Sequence, residues 1–461
     1  MRSDSTPRAG DFDGRFPLSY NQEFLYGFDR GDDEGPFGPR FHIVHGWRLR
    51  GKVHVDTLQQ ALDDVVARHE ALRTVVVRGD AEWYQRVRPP TRVRLDVREA
   101  AGTDADAQDL AAERLLTEVE SGTIDAHELP LMKATLLRFD EESAVLVLIV
   151  HHTAADGWSV RRIIRDLAVR YAARRGCDVP EPPSALPYRD FVTWQRAYSE
   201  SAEAQRARDF WRRKLAGARI ISVPTDRPKS AGLRESTAVY RFTIERPLVS
   251  RAVDLAKALR STPFMVLLGA FALMVQRTTG STDVVVPTFS PGRDQERFQH
   301  TVGPFLNLLP LRAELAGCRD FREVVARVRA TCLEAYSYDI PTVQILAEAP
   351  ELMLPVMEDA RAACVFQVFP FPFVLDGEKI GDLEYTEIRR RLDSQPVGSD
   401  VPNGALWTLN LDPAGDVVAG IQYNSNLYDE SSVARMVDRF RQVLSEVVTA
   451  PDAPLDPRRE P

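Results

Sequence analysis

Residues 143–150 read SAVLVLIV, an almost uninterrupted apolar run that ends about a third of the way along the chain. Such a run is typical of a strand that is covered on both faces, because every side chain then has an apolar neighbour. The chain next passes Gly157 and enters a segment with helical spacing that ends at Gly176. Its apolar positions are Val160, Ile163, Ile164, Leu167 and Tyr171. A buried strand followed by a helix predicts an α/β fold.

A proline-rich segment divides the chain. Its 461 residues, at about 150 residues per domain, indicate two or three compact units. Four prolines lie between Gly176 and Tyr188, so we predict an N-terminal lobe at 14–176, a linker at 177–190 and a C-terminal lobe at 191–455. The second part again mixes helices and strands, and its segment FMVLLGAFALMV has no polar face and must be a buried helix. We therefore predict two α/β lobes of similar make-up.

Charge and cysteine content exclude several classes of protein. With 59 Lys and Arg against 67 Asp and Glu, the formal net charge is −8, which argues against a nucleic-acid protein that relies on overall positive charge. No apolar run approaches the roughly 18 residues that cross a bilayer, and the polar N-terminus has no signal-peptide core. The 4 cysteines form no C-x-x-C pair, so we expect reduced thiols and a cytoplasmic protein.

The segment HHTAADGWS, residues 151–159, holds two of the 8 histidines where the apolar run ends. Strand ends that precede a helix are where α/β folds expose functional groups. Adjacent strand residues point to opposite faces, so only one of His151 and His152 can face a cleft. An imidazole can accept a proton near neutral pH. A buried Asp156 needs a cationic partner, and Gly157 permits a tight turn.

Two other interpretations of this segment remain open from the residues alone. One is a pair of structural core histidines followed by a helix-capping Asp156. The other is a metal site of His151, His152 and Asp156, which the divergence of adjacent side chains disfavours. The chain has no G-x-G-x-x-G, P-loop, G-x-S-x-G or H-E-x-x-H sequence, so nucleotide-dependent and serine-hydrolase chemistry lack support.

The segment resembles the His-His-x-x-x-Asp-Gly motif of the condensation domains of nonribosomal peptide synthetases, which share a superfamily with chloramphenicol acetyltransferase. Five further segments are similar to the other motifs of that family and occur in the family's order. They are FPLSYNQEFLY at 16–26, RHEALRT at 68–74, YRDFVTWQ at 188–195, GRDQERFQHTVGPFLNLLPLR at 292–312 and YNSNLYDESSV at 423–433. The resemblance covers roughly residues 15–450, nearly the whole chain.

This resemblance implies two chloramphenicol-acetyltransferase-like lobes arranged as a V-shaped pseudo-dimer, with a substrate tunnel between them. It implies that His152 is catalytic and orients or deprotonates the attacking amine or hydroxyl. His151 and Gly157 would shape the loop, and Asp156 would be structural, with Arg293 as its partner. Gln367 and Asn307 would line the tunnel, although Asn307 could equally be architectural. The intact histidines argue against the heterocyclising branch of the family and against the branch that recruits oxygenases.

The same resemblance implies a condensation-type acyltransferase that joins a carrier-tethered (amino)acyl thioester to an amine or alcohol. No cofactor would be bound by the chain itself, because an acyl or peptidyl carrier protein delivers the phosphopantetheine arm. We expect a monomer without nucleic-acid or membrane partners. With no adenylation domain or carrier motif in the sequence, we expect a free-standing enzyme, with an excised module as the other possibility. An epimerase and a catalytically silent recruiting module are the alternative functions.

Several arginines follow the motif and have two interpretations. They form either a solvated helix face or a docking site for an acidic carrier protein or its phosphopantetheine phosphate. They are Arg161, Arg162, Arg165, Arg170, Arg174 and Arg175, and the run Arg389, Arg390 and Arg391 has the same two interpretations.

Overall fold

The structure is a computed structural model that describes residues 14–79, 82–100, 104–369, 375–401 and 404–455. The strands in this part of the chain are β1 (Arg15–Pro17), β2 (His42–Arg50), β3 (Thr74–Val77), β4 (Tyr84–Val87), β5 (Arg94–Glu99), β6 (Met132–Arg138), β7 (Ser143–His151), β8 (Ser222–Pro224), β9 (Thr237–Ile244), β10 (Asp283–Ser290), β11 (Asn307–Glu314), β12 (Arg361–Phe369), β13 (Asp376–Ile380), β14 (Leu383–Glu387), β15 (Gly404–Leu411) and β16 (Val417–Asn424).

The α-helices of the same ranges are α1 (Tyr20–Tyr26), α2 (Val55–Arg68), α3 (Ala105–Ser121), α4 (Gly157–Arg174), α5 (Tyr188–Ser199), α6 (Ala202–Lys214), α7 (Arg246–Ala258), α8 (Pro263–Thr279), α9 (Phe321–Ser337), α10 (Thr342–Glu348), α11 (Leu354–Met357) and α12 (Glu430–Thr449). No single helix among the described residues is long and apolar enough to span a membrane. The bent pair α7 and α8 meets that test of length and composition only when its two helices are taken together.

A six-stranded sheet of order β13-β14-β2-β7-β6-β5 carries the motif segment. Strand β7 lies inside this sheet, and every residue after Ser143 in it is buried. Leu146 and Leu148 pack into a core shared with α2 and α4, whereas Val145 and Val147 pack into a core shared with α3. The expected strand covered on both faces is therefore confirmed, and its end is held rigidly by both layers.

A five-stranded sheet of order β8-β12-β15-β16-β9 forms the second core. Helix α8 packs there with all residues from Met265 to Val275 buried, as its apolar sequence predicts. Its Phe271 ring stacks on Phe366 of β12, with 4.4 Å between centroids, and meets the Trp407 ring of β15 edge-on at 5.4 Å. Thr262 caps the helix by accepting a hydrogen bond from the backbone N–H of Met265.

The predicted lobe boundaries remain predictions, and the sheets depart from them in one respect. Strands β13 and β14 come from the second part of the chain but join the first sheet, where β14 pairs antiparallel with β2. Leu383 and Tyr385 of β14 add to the core of that sheet. Without β14, the edge of β2 would expose unpaired backbone groups. The proposed linker is also helical at its end, since α5 begins at Tyr188.

Candidate active site

His151 is a buried structural residue at the last position of β7. Its side chain is 0% exposed and it pairs in register with His42 of β2. The ring Nε2 lies 3.0 Å from the carbonyl oxygen of Gly38, which can only accept, so Nε2 donates. Nδ1 then accepts from the hydroxyl of Thr153 at 2.8 Å. Burial lowers the pKa of His151 to about 3, and the ring is neutral with both nitrogens occupied.

His152 is the imidazole that keeps access to solvent. It follows the end of β7, and its backbone N–H donates to the carbonyl of Phe41 at 2.9 Å. Its ring stacks on the ring of Phe41, with centroids 4.8 Å apart and planes at 20°, and it is partly exposed. Burial of the ring is the main cause that lowers the pKa of His152 below its usual value of 6.5. At neutral pH this ring carries a lone pair that can accept a proton.

Asp156 joins the start of α4 to a loop from the second part of the chain. Its Oδ1 accepts from the backbone N–H of Ser159 at 2.7 Å, which makes it the N-cap of α4. The Nη2 of Arg293 lies 3.1 Å from Oδ1 and 3.4 Å from Oδ2, and the backbone N–H of Phe305 donates to Oδ2 at 3.2 Å. The structure thus brings together the two residues that the sequence analysis paired.

Arg293 holds its own loop as well as Asp156. Its Nη1 donates to the carbonyls of Phe298 and Thr301 at 3.1 and 2.8 Å. Its Cζ lies 3.8 Å from the centroid of the Phe305 ring, and Nη2 also donates to Ser159 Oγ at 2.8 Å. Burial lowers the pKa of Arg293, and the charge of Asp156 opposes that effect. One buried guanidinium therefore fixes segment 292–306 against the catalytic loop.

Sequence reasoning missed three further residues that fasten this loop, although each lies within a motif quoted above. The Oγ of Ser159 donates to the carbonyl of Gly303 at 2.9 Å. A Cβ atom on Gly303 would lie 2.0 Å from the Tyr188 ring, so only glycine allows this approach. The Tyr188 hydroxyl lies 2.9 Å from the carbonyl of Pro304. Their signal was position within the motifs rather than reactive chemistry.

Gly157 does not have the conformational role expected from the sequence. It is the first residue of α4 and does not have a positive φ, and a Cβ atom there would meet nothing within 4 Å. Neither backbone strain nor crowding by the described residues requires glycine at this position. The expectation of a tight glycine turn was wrong because Asp156 caps the helix and turns the chain with ordinary extended backbone.

Asn307 makes architectural contacts with all parts of its amide. Its Nδ2 donates to Asp339 Oδ1 and to the carbonyl of Ile340, both at 2.7 Å. Its Oδ1 accepts from the backbone N–H of Thr342 at 2.9 Å and from the hydroxyl of the same residue at 2.7 Å. This amide has no hydrogen-bonding capacity left for a substrate, so the structure favours the architectural alternative over the tunnel role.

Gln367 has the opposite pattern. It lies on β12 opposite Thr408 of β15, and its Nε2 donates to Thr408 Oγ1 at 2.9 Å. Its Oε1 is buried without a hydrogen-bond partner. Neighbouring Phe366 and Val368 point into the core of the second sheet, so Gln367 lies on the other face of that sheet. An unsatisfied buried acceptor of this kind calls for an explanation.

No group of three or more His, Cys, Asp and Glu side chains suited to a metal ion occurs in the part of the chain that the structure covers. For the motif itself, the reason is local. Both ring nitrogens of His151 are used by Thr153 and Gly38, and Asp156 is used by Arg293 and two backbone amides. These ligands are not available to a metal ion.

Comparison with known proteins decides the family. The family model described as "Condensation domain" matches residues 16–458. The chain belongs to the condensation domain family. A curated relative is a linear gramicidin synthase of Brevibacillus parabrevis, which is 30% identical over 96% of this chain. This condensation domain corresponds to only 6% of the length of that synthase.

Solved structures confirm the fold of this condensation domain. SgcC5 of Streptomyces globisporus, in complex with (R)-(-)-1-(2-naphthyl)-1,2-ethanediol and sucrose, is 44% identical, with a TM-score of 0.92 over 95% of this chain and 100% of that one. The X-domain from teicoplanin biosynthesis is 24% identical, with a TM-score of 0.75 over 97% of this chain and 98% of that one, a likeness of fold alone. The predicted two-lobe, chloramphenicol-acetyltransferase-like α/β fold is confirmed.

Proposed function

We propose that this condensation domain transfers an acyl or aminoacyl group from a carrier-protein thioester to an alcohol or amine. The observation that carries the proposal is the division of labour between the two motif histidines. His151 is sealed and fully hydrogen-bonded, whereas His152 is partly exposed and has a lowered pKa. A neutral imidazole on a rigid loop is suited to general-base or positioning catalysis.

The chemical step then follows from this imidazole. The oxygen or nitrogen of the acceptor attacks the thioester carbonyl carbon, while His152 accepts or orients the proton of the nucleophile. The tetrahedral intermediate collapses, the carbon–sulfur bond breaks, and the proton passes to the departing pantetheine thiolate. An α-amine has a pKa near 7.7–8.0, so much of it is already neutral, and His152 mainly positions it. An alcohol depends on the base more strongly, because its own pKa is far higher.

The supporting residues have separate roles in this proposal. His151, Asp156 and Arg293 hold the loop that presents His152, as their buried contacts indicate. Gln367 offers an unsatisfied Oε1 from the sheet face opposite the second core, and we assign it to the substrate tunnel. The phosphopantetheine arm comes with the carrier protein, and the chain itself binds no cofactor.

An alcohol acceptor, which gives an ester, is supported by one specific observation. SgcC5 was solved with (R)-(-)-1-(2-naphthyl)-1,2-ethanediol, an aryl vicinal diol, and is 44% identical to this chain. An amine acceptor is supported by the relatives that are peptide synthetases, such as the linear gramicidin synthase. Both acceptors use the same imidazole and differ in how much base catalysis they need.

A matched pair of acceptors tests the proposal. The enzyme is incubated with an acylated holo-carrier protein and either 1-phenyl-1,2-ethanediol or 2-amino-1-phenylethanol, which differ by one oxygen-for-nitrogen exchange. We expect mass spectrometry to show an ester or amide product and a carrier that has lost its acyl group. Exchange of the donor's α-hydrogen with deuterated solvent, without product, would instead identify an epimerase. An unchanged carrier with a panel of donors and acceptors would indicate a silent recruiting module.

A further inference from the structure

Most arginines that the sequence analysis considered for docking are engaged by carboxylates. Arg165 pairs with Glu378, Arg174 with Asp64, Arg175 with Asp382, Arg389 with Glu387, Arg390 with Asp416 and Arg391 with Glu120. These ion pairs account for the charges at those positions. Arg162 and Arg170 differ, since neither has a carboxylate within ion-pair distance among the residues that the structure describes.

Arg162 and Arg170 lie on one face of α4. Trp158, Arg162, Asp166 and Arg170 follow one another at intervals of four, so they are neighbours on the helix surface. The guanidinium of Arg162 is half-buried and lies over the Trp158 ring, with Cζ 5.3 Å from the centroid. Burial lowers the pKa of Arg162, and the charge of Arg293 acts in the same direction. Arg162 is therefore a desolvated cation close to the catalytic loop.

His300 faces the same region from the loop of the second lobe. The indole N–H of Trp158 donates to the carbonyl of Gln299 at 3.2 Å, which brings the adjacent His300 against α4. Burial lowers the pKa of His300, and the charge of Arg162 adds to this effect. His300 has no hydrogen-bond partner within the described ranges, so its ring nitrogens are available to a ligand.

The only carboxylate on this face of α4, within the described part of the chain, is already used. Asp166 Oδ2 accepts from His69 Nε2 at 2.7 Å and lies 2.8 Å from Arg68 Nε. The charges of Arg68 and Arg170 also act on His69, which places Arg170 in the same group. Three guanidiniums against one carboxylate leave two positive charges without compensation. We call Arg68, Arg162, Arg170 and His300 the α4 cation cluster.

We propose that the α4 cation cluster binds the phosphate that links pantetheine to the serine of the carrier protein, an inference that rests on the proposed function. Guanidiniums present paired N–H donors that match phosphate oxygens, and desolvation strengthens such bonds. Trp158 provides a flat apolar wall beside Arg162 for the pantetheine chain. At 1.5 Å per residue, Arg162 lies about 9 Å along α4 from Asp156, so the cluster and the catalytic loop share one rigid element.

The test compares donors that differ in phosphate. They are an acyl group on the holo-carrier, on phosphopantetheine, on coenzyme A and on pantetheine without phosphate. Arg162→Gln removes the charge, and Arg165→Gln is the matched control, an exposed arginine on the same helix that is paired with Glu378. We expect Arg162→Gln to raise KM for the carrier and phosphopantetheine donors about tenfold, with kcat nearly unchanged. The phosphate-free donor and Arg165→Gln should show wild-type KM values.

Three results would overturn the inference. An equal rise in KM for the phosphate-free donor would show a general effect on the site. A carrier KM that matches that of Arg165→Gln would exclude the cluster. A rise confined to coenzyme A would assign the cluster to that molecule instead of the carrier. If no donor gives product, the proposed function fails, and titration calorimetry with phosphopantetheine against pantetheine still decides whether Arg162 binds the phosphate.

Discussion

Arg293 and Asp156, separated by 137 positions in sequence, form a buried ion pair with Nη2 3.1 Å from Oδ1. Their side chains are 4% and 1% exposed. Asp156 caps α4 four residues after His152, and Arg293 belongs to the loop that crosses from the second lobe. This contact therefore couples the position of the catalytic loop to the packing of the two parts of the chain.

We expect Arg293→Ala to lower the free energy of unfolding by about 3–5 kcal/mol, because Asp156 then remains buried without a counter-ion. Urea denaturation measures the change, and a double-mutant cycle with Asp156→Ala isolates the coupling. Arg165→Ala is the control, because its pair with Glu378 is largely exposed and contributes about 0–1 kcal/mol. A loss for Arg293→Ala as small as the control would refute the structural role of the pair.

Gly303→Ala should destabilise the protein by about 1–3 kcal/mol, since its Cβ atom would lie 2.0 Å from the Tyr188 ring. Gly157→Ala is the matched substitution in open space at the first residue of α4, and we expect a change within about 0.5 kcal/mol. Thermal and urea unfolding of both variants provide the comparison. Equal effects at the two glycines would show that Tyr188 does not fill the space against Gly303.

His151 should make stability fall as pH falls below neutrality. Its pKa is about 3 in the folded protein against 6.5 for an ordinary imidazole, so the unfolded chain binds the extra proton between these values. Stability is complete above about pH 6.5 and declines below it by about 1.4 kcal/mol per pH unit. The decline for His151→Asn, followed by urea denaturation from pH 7.5 to 5, should be shallower by about one proton. An unchanged slope would mean that His151 is not the buried neutral group.

Asn307 and Gln367 should separate in a comparison of stability with kinetics. Asn307→Ala removes the partners of Asp339 and Thr342, and we expect a loss of about 1–3 kcal/mol in unfolding with an unchanged acceptor KM. Gln367→Ala should unfold at a similar urea concentration to wild type but raise the acceptor KM. An acceptor KM that rises for Asn307→Ala and stays constant for Gln367→Ala would reverse both assignments.

Much of the fold and of the site follows from local pattern. The apolar run before the motif predicts β7, and the apolar sequence after Thr262 predicts α8, because burial on all sides leaves no other environment for such segments. The divergence of adjacent strand side chains predicts one sealed and one accessible histidine. The need of a buried carboxylate for a cation predicts a partner for Asp156, and the family resemblance supplies Arg293 as that partner.

The remaining features depend on contacts between distant segments, which periodicity does not encode. Pairing of β14 with β2 moves part of the second half into the first sheet. The amide of Asn307 is consumed by Asp339 and Thr342, and Gly303 is required by the approach of Tyr188. Each of these constraints arises from a neighbour more than thirty positions away.

The acylation rate of His152→Ala tests the central claim most directly. The variant is compared with wild type under single-turnover conditions with an acyl carrier and an alcohol acceptor, after circular dichroism has shown native structure. We expect the rate to fall by about 10²–10⁴, and the acid limb of the wild-type profile to lie below pH 6.5, because burial lowers the pKa of His152. A folded His152→Ala protein that acylates at the wild-type rate would contradict the account.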